Sequence, residues 1–239
     1  MGQNQTNWRA SGETGEAVTG TLVLIATPIG NLEDLSPRAA RILAEADAVM
    51  AEDTRRTARF VPDRKKLYSC HDHNIKGRLP QIEELLRNGA TVAMASDAGT
   101  PGISDPAYRA VELAHGIGAS VTMAPGPSAV IMGLVLSGLP AHRFAFEGFL
   151  PAKKGKRQKR LESMSRYPGT IAYYAGPHHL AKILAEMLEI FGDRRCAVAR
   201  ELTKVHEEVV RGTISTLCDK YSTTVPRGEI TLLVEGAAE

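Results

Sequence analysis

What most limits the fold of this chain is a unit that recurs along it: a short apolar run, a loop rich in glycine, proline or charge, then a stretch with helical periodicity. The clearest instance spans residues 90–114. Residues 90–95 (Ala-Thr-Val-Ala-Met-Ala) are apolar enough for a buried strand. The loop Ser96-Asp97-Ala98-Gly99-Thr100-Pro101-Gly102-Ile103-Ser104-Asp105-Pro106 follows. Residues 107–114 then read as a helix, with Asp105 as its N-cap and Pro106 at its first position. Such a loop leaves a strand at its carboxyl end, where open α/β sheets bind ligands. Its two glycines let a ligand approach the main chain closely, and Asp97 places one acid at the strand's exit.

The same unit appears before and after. Residues 21–27 read as a strand running into Pro28-Ile29-Gly30-Asn31-Leu32-Glu33-Asp34, after which Ser36 caps a helix that begins at Pro37. A strand at 48–51 ends in Glu52-Asp53-Thr54-Arg55-Arg56. Residues 67–70 give a short strand and 80–87 a helix stopped by Asn88-Gly89. A strand at 120–124 exits into Pro125-Gly126-Pro127-Ser128-Ala129, where Ser128 at a helix N-cap presents backbone N–H groups to a ligand. Gly138-Leu139-Pro140 breaks that helix and reads as a hinge. Beyond it, strands at 144–150, 170–174, 196–199 and 229–234 alternate with helices at 155–165, 180–191 and 214–221. The class is α/β, with a flexible polar tail at 1–19, an N-terminal domain at 20–138 and a C-terminal domain at 139–239.

Several functions are excluded or disfavoured. No Gly-x-Gly-x-x-Gly follows the first strand and no Gly-Lys-Ser/Thr occurs, so neither a dinucleotide fingerprint nor a Walker loop is present. No apolar run approaches the roughly 20 residues of a membrane span. Cys70, Cys196 and Cys218 are odd in number and show no ligand spacing, which suits a reducing cytoplasm. His71-Asp72-His73 lacks a second cluster to complete a site, so no metal is expected. The net charge of +2 is unevenly placed: Lys153, Lys154, Lys156, Arg157, Lys159, Arg160 and Arg166 lie between Pro151 and Pro168 with Glu162 as the sole acid, a local +6. One dense basic segment in an otherwise mildly acidic chain implies a polyanionic partner.

The motifs Ala26-Thr27-Pro28-Ile29-Gly30-Asn31-Leu32-Glu33-Asp34, Ala51-Glu52-Asp53-Thr54-Arg55, the 96–106 loop, Pro125-Gly126-Pro127-Ser128-Ala129, Phe146-Glu147-Gly148-Phe149-Leu150-Pro151 and Arg200-Glu201-Leu202-Thr203-Lys204 occur in that order. Together they closely resemble the small-subunit ribosomal RNA methyltransferase I family of the tetrapyrrole-methylase superfamily, over residues 21–236. The resemblance implies two α/β domains of tetrapyrrole-methylase type with the cofactor cleft between them, S-adenosyl-L-methionine as cofactor, a cytoplasmic homodimer, and 16S rRNA or the small ribosomal subunit as partner. The implied reaction is methylation of a cytidine ribose 2′-hydroxyl in the decoding centre.

Carried onto this sequence, the family pattern assigns cofactor binding to Pro28, Ile29, Gly30, Asp97, Ala98, Gly99, Thr100, Gly102, Ile103, Ser128, Ala129, His178 and Leu202. In-line methyl transfer needs alignment and a group to take the hydroxyl proton. Glu52, Asp53, Asp97, Lys204 and Glu207 are candidates at strand ends; Asp97 also suits cofactor positioning, and Lys204 suits an alkoxide or a phosphate. Arg55, Arg56, Lys153, Lys154, Lys156 and Arg157 are expected to hold RNA phosphates. Where the family usually reads Glu-Ser-Pro-His-Arg, this chain has Ala175-Gly176-Pro177-His178-His179. It also ends soon after Glu235-Gly236, an ending expected to weaken RNA docking without removing methyl transfer. A tetrapyrrole C-methyltransferase and a non-catalytic RNA-binding module are the alternatives. Against the first, the opening loop is Thr-Pro-Ile-Gly rather than Gly-x-Gly-Pro-Gly.

Overall fold

The computed structural model describes residues 19–238; the stretch read as a tail at 1–19 therefore lies, apart from Thr19, outside the described residues. These divide into two compact units, the first ending at Pro127 and the second beginning at Ser128.

The first unit holds β1 (Thr21–Ile25), α1 (Pro37–Glu45), β2 (Ala48–Ala51), the single turn α2 (Thr54–Thr57), β3 (Leu67–Ser69), α3 (Ile75–Arg87), β4 (Thr91–Ala95), α4 (Tyr108–Gly116) and β5 (Ser120–Ala124). Its strands form one sheet in the order β3-β2-β4-β1-β5, parallel at every pair. β2 and β4 are buried along their whole length, as continuous apolar runs require. On one face Ala39, Ile42 and Leu43 of α1 share a core with Val23, Ile25 and Val49. On the other, Ile75, Ile82 and Leu86 of α3 and Ala110 and Ala114 of α4 share a core with Leu22, Met50, Val92 and Met94. The chain leaves β1 towards β2 and leaves β4 towards β5, so the connections from these neighbouring strands part in opposite directions. That is a topological switch point at their carboxyl ends.

Ser36 caps α1 as expected, accepting from Ala39 N at 3.1 Å. Two starts differ. α3 begins at Ile75, with Pro80 inside it, because Ile75, Ile82 and Leu86 at helical spacing bury one face and outweigh one lost hydrogen bond. α4 begins at Tyr108; Asp105 is not its N-cap but accepts from Gly102 N and Ala107 N, both at 2.8 Å, folding the loop back on itself.

The second unit holds α5 (Ala129–Ser137), β6 (Phe144–Phe149), α6 (Lys154–Met164), β7 (Thr170–Ala175), α7 (Leu180–Phe191), β8 (Arg195–Arg200), β9 (Glu208–Thr213), α8 (Ile214–Thr223) and β10 (Ile230–Val234). The sheet order is β6-β7-β10-β8-β9; β6 and β7 are parallel and the other pairs antiparallel. α7, α8 and Leu161 of α6 cover one face through Ile183, Leu184, Met187, Ile214 and Leu217. The break expected at Gly138 falls earlier because α5 belongs to this sheet: a Cβ on Gly133 would stand 3.1 Å from Thr231 Cγ2. β9 escapes sequence reading because it is a half-exposed edge strand with only Val209 and Val210 as apolar residues.

Candidate active site

Because the first sheet is wholly parallel, the exits of β1, β2, β4 and β5 lie along one edge. Three of these loops are tied together by hydrogen bonds onto their own backbone carbonyls. Thr27 and Gly99 exchange N–H···O=C bonds of 3.0 and 2.9 Å. Thr27 Oγ1 donates to Ser96 O at 3.0 Å, and Ser96 Oγ to Gly99 O at 2.8 Å. Thr100 Oγ1 donates to Pro127 O at 3.2 Å. Gly99 sits at φ +81° with Ile29 Cγ2 3.4 Å from the position of a Cβ, a backbone that L-residues adopt only with strain. Ser104 occupies the left-handed region without being glycine, at φ 67°, a strain that persists only where its surroundings over-determine it. Pro28 is buried and Gly30 and Ala98 are exposed, while Ile103 and Leu32 leave apolar side chains open to solvent.

The exits of β2 and β4 are joined by reciprocal bonds: Asp97 N donates to Glu52 Oε2 at 3.1 Å, and Asp53 N to Asp97 Oδ1 at 2.7 Å. Burial raises the Glu52 carboxyl above its ordinary value; the Asp97 amide pulls it back, and the charges of Asp97, Asp105 and Asp72 push it further up. Burial likewise raises Asp105. Asp53 behaves oppositely. It caps α2 by accepting from Arg55 N at 2.9 Å and takes both Nε and Nη2 of Arg55, which brings its carboxyl down to about 2. Arg56 lies 3.8 Å from Asp97. The Cys70 thiol is pushed up to about 11 by burial and is unreactive.

In the second unit, the β8–β9 turn carries Glu201 and Thr203 at φ 50° and 66°. Lys204 Nζ donates to Glu201 Oε1 at 2.9 Å and Glu229 Oε2 at 3.1 Å; burial would lower its pKa, but these two carboxylates outweigh it and raise it. Glu207 Oε2 accepts from Thr203 N at 2.6 Å, and Leu202 is buried. His178 is exposed in a 3-10 turn after β7. Ser128 is the N-cap of α5 but makes no side-chain cap bond.

The basic segment forms α6, and one expectation there is corrected. Arg157 does not face a ligand: Nε and Nη2 donate to Glu186 at 2.6 and 2.7 Å, and Nη1 to Pro151 O and Ala152 O. Both side chains are over 90% buried, at 6% and 7% exposure. Lys153, Lys154, Lys156 and Lys159 are exposed, and Arg160 pairs with Glu147. Sequence reasoning missed Phe149 and Tyr174, whose rings stand together beside this helix. The glycine inside the Phe146–Phe149 run was the available sign, since an isolated strand glycine marks a bulge. Among the described residues no group of three or more His, Cys, Asp or Glu is placed to hold a metal, and no helix is long and apolar enough to cross a membrane.

A family model described as tetrapyrrole (corrin/porphyrin) methylases matches residues 21–218. A ribosomal RNA small subunit methyltransferase I from Xylella fastidiosa is 45% identical over 92% of this chain and 83% of its own. The protein of that name from Thermotoga maritima is 42% identical over 91% of this chain and 99% of its own. Among solved structures, uroporphyrin-III C-methyltransferase from Thermus thermophilus, complexed with S-adenosylhomocysteine, superposes with a TM-score of 0.64 at 21% identity. That likeness covers 90% of this chain and 97% of the other, and it speaks for the fold alone.

Proposed function

Since the chain belongs to the tetrapyrrole methylase family, and within it to the ribosomal RNA small subunit methyltransferase I family, we propose that it methylates the ribose 2′-hydroxyl of a cytidine in 16S rRNA. Methyltransferases of this family use S-adenosylmethionine, which supplies an electrophilic methyl group on a sulfonium sulfur. The residues present fit that donor. Asp97 and Glu52 offer negative charge to the sulfonium, Gly99 itself adds no side chain to the turn, and Ile103 and Leu32 offer exposed apolar surface to the methionine arm and purine. Pro28, Ile29, Gly30, residues 97–103, Ser128, Ala129, His178 and Leu202 make up the proposed binding set.

The observation that carries the reading is the stitching of three strand-exit loops into one backbone cradle with two carboxylates at its rim. Roles within it follow from chemistry. Asp53, ionised down to about 2 and forked onto Arg55, is a poor base and orders the α2 turn. Glu52, raised by burial, is the stronger base and the group we assign to the hydroxyl proton. Lys204 stays protonated between Glu201 and Glu229 and serves as a cation for an alkoxide or a phosphate. Arg55, Arg56, Lys153, Lys154 and Lys156 hold RNA phosphates.

The test is methyl transfer from labelled S-adenosylmethionine to purified small ribosomal subunits, with modified riboses mapped by mass spectrometry. A single 2′-O-methylcytidine in 16S rRNA is expected. Label on a base, or on a porphyrinoid offered in place of the RNA, would overturn the reading.

A further inference from the structure

A β-bulge in the second unit re-aims one aromatic side chain. On β6, Phe146 pairs with Ala172 and Phe149 with Tyr174, so three steps on one strand match two on its neighbour. Gly148 absorbs the extra residue at φ 62°. In a regular strand residues 146 and 149 would point to opposite faces. The bulge brings both rings onto Tyr174, with centroids 4.8 and 5.5 Å away. Tyr174 is itself half-buried. Phe149, the outer ring, stays 66% exposed.

Cations flank it on both sides. One hollow is shared by Phe149, Pro151, Lys156 and Lys159; the other by Phe149, Tyr174, His179 and Lys182. The three lysines are exposed. We propose that Phe149 is a stacking platform for one unpaired base of the RNA, with Lys156, Lys159 and Lys182 holding the phosphates on either side of it. This rests on the rRNA reading above. A flat apolar face among ammonium groups matches single-stranded RNA, in which every base offers a π-face and every linkage a negative charge. A duplex offers the charge but hides the faces.

Trp8 is the sole tryptophan, so emission from the full-length W8F/F149W variant reports the ring at 149 alone. A short unpaired RNA should quench it, and a duplex of equal length should not. F149A and F149L should each bind the unpaired RNA about tenfold more weakly, while F149Y binds as the parent does. Binding without quenching, or F149L binding like the parent, overturns the proposal. So does emission that follows protein concentration instead of RNA, since a protein surface would then cover the ring. Methyl transfer by the parent protein is scored separately: with transfer present and the ring silent, only the stacking falls. With transfer absent, the rRNA reading falls, and quenching still decides the stacking.

Discussion

The exits of β2 and β4 in the first unit and the helix α6 in the second treat charge in opposite ways. In the first, the carboxylates of Glu52, Asp97 and Asp53 are tied to backbone amides at strand ends, which leaves negative charge at the rim of the turns. At α6, the carboxylate of Glu186 is taken up inside the fold by Arg157, and the helix and its lead-in show Lys153, Lys154, Lys156 and Lys159 to solvent. An acidic rim suits a sulfonium cation, and a lysine-bearing helix suits phosphates. Arg157 and Lys156 show why the partner decides the role. They are neighbours in one basic run, yet one is part of the core and the other lies on the surface.

The hardest test of that contrast is Arg157→Ala. It leaves Glu186 buried without its partner, which costs about 3–5 kcal/mol, or roughly 10 °C in the unfolding temperature of a chain this size. The double variant R157M/E186L should recover most of the loss, since a well-packed apolar pair replaces a buried ion pair at little cost. Thermal and urea unfolding read both. If Arg157→Ala melts with the parent, the helix is not anchored from within and the contrast fails.

Arg157 also marks how far the sequence could be read. The buried strands at 21–27, 90–95 and 120–124 and their exits were legible because apolar runs followed by Gly-Pro loops leave few alternatives, and β4 stands where expected. The bonds that make the turns a cradle were not legible. Thr27 to Gly99 and Asp97 to Glu52 join residues far apart in sequence, and nothing local marks such a partner. Charge in the 151–168 segment showed the helix but not its buried member, because a basic residue's burial depends on a glutamate in α7. β9 and the domain boundary failed for a related reason. A half-exposed edge strand has weak alternation, and an all-apolar helix such as α5 does not tell which sheet it will cover.

A smaller effect sharpens the contrast from the surface side. K153A/K154A/K156A, with Arg157 kept, should unfold within about 0.5 kcal/mol of the parent. Its RNA binding should weaken, and the slope of log affinity against log salt should flatten by about 2, near 0.7 for each lost phosphate contact on single-stranded RNA. An unchanged slope would remove α6 from the interface, whatever Arg157→Ala does to stability.

The smallest effect, at Glu52, is the most direct when set beside Glu186, because the two glutamates should titrate against stability with opposite signs. Burial, helped by the charges of Asp97, Asp105 and Asp72, puts Glu52's folded pKa above its unfolded value near 4.5. The folded state therefore binds that proton more tightly, and stability is lost as pH climbs through the window above 4.5. Glu52→Gln should be more stable than the parent at pH 7, by about 2 °C because the group is half exposed and screened, and the gap should close as pH falls towards 4.5. Glu186 lies below its ordinary value because Arg157 donates to it, so its stabilisation is complete above 4.5 and is lost as pH drops through the lowered value. Glu186→Gln should be less stable than the parent at pH 7, with that deficit shrinking only below 4.5. Melting curves between pH 4 and 7 compare the two variants directly. Gaps of the same sign would mean that both carboxylates are held by burial alone, or both by ion pairing, and the two regions would no longer differ in how they use charge.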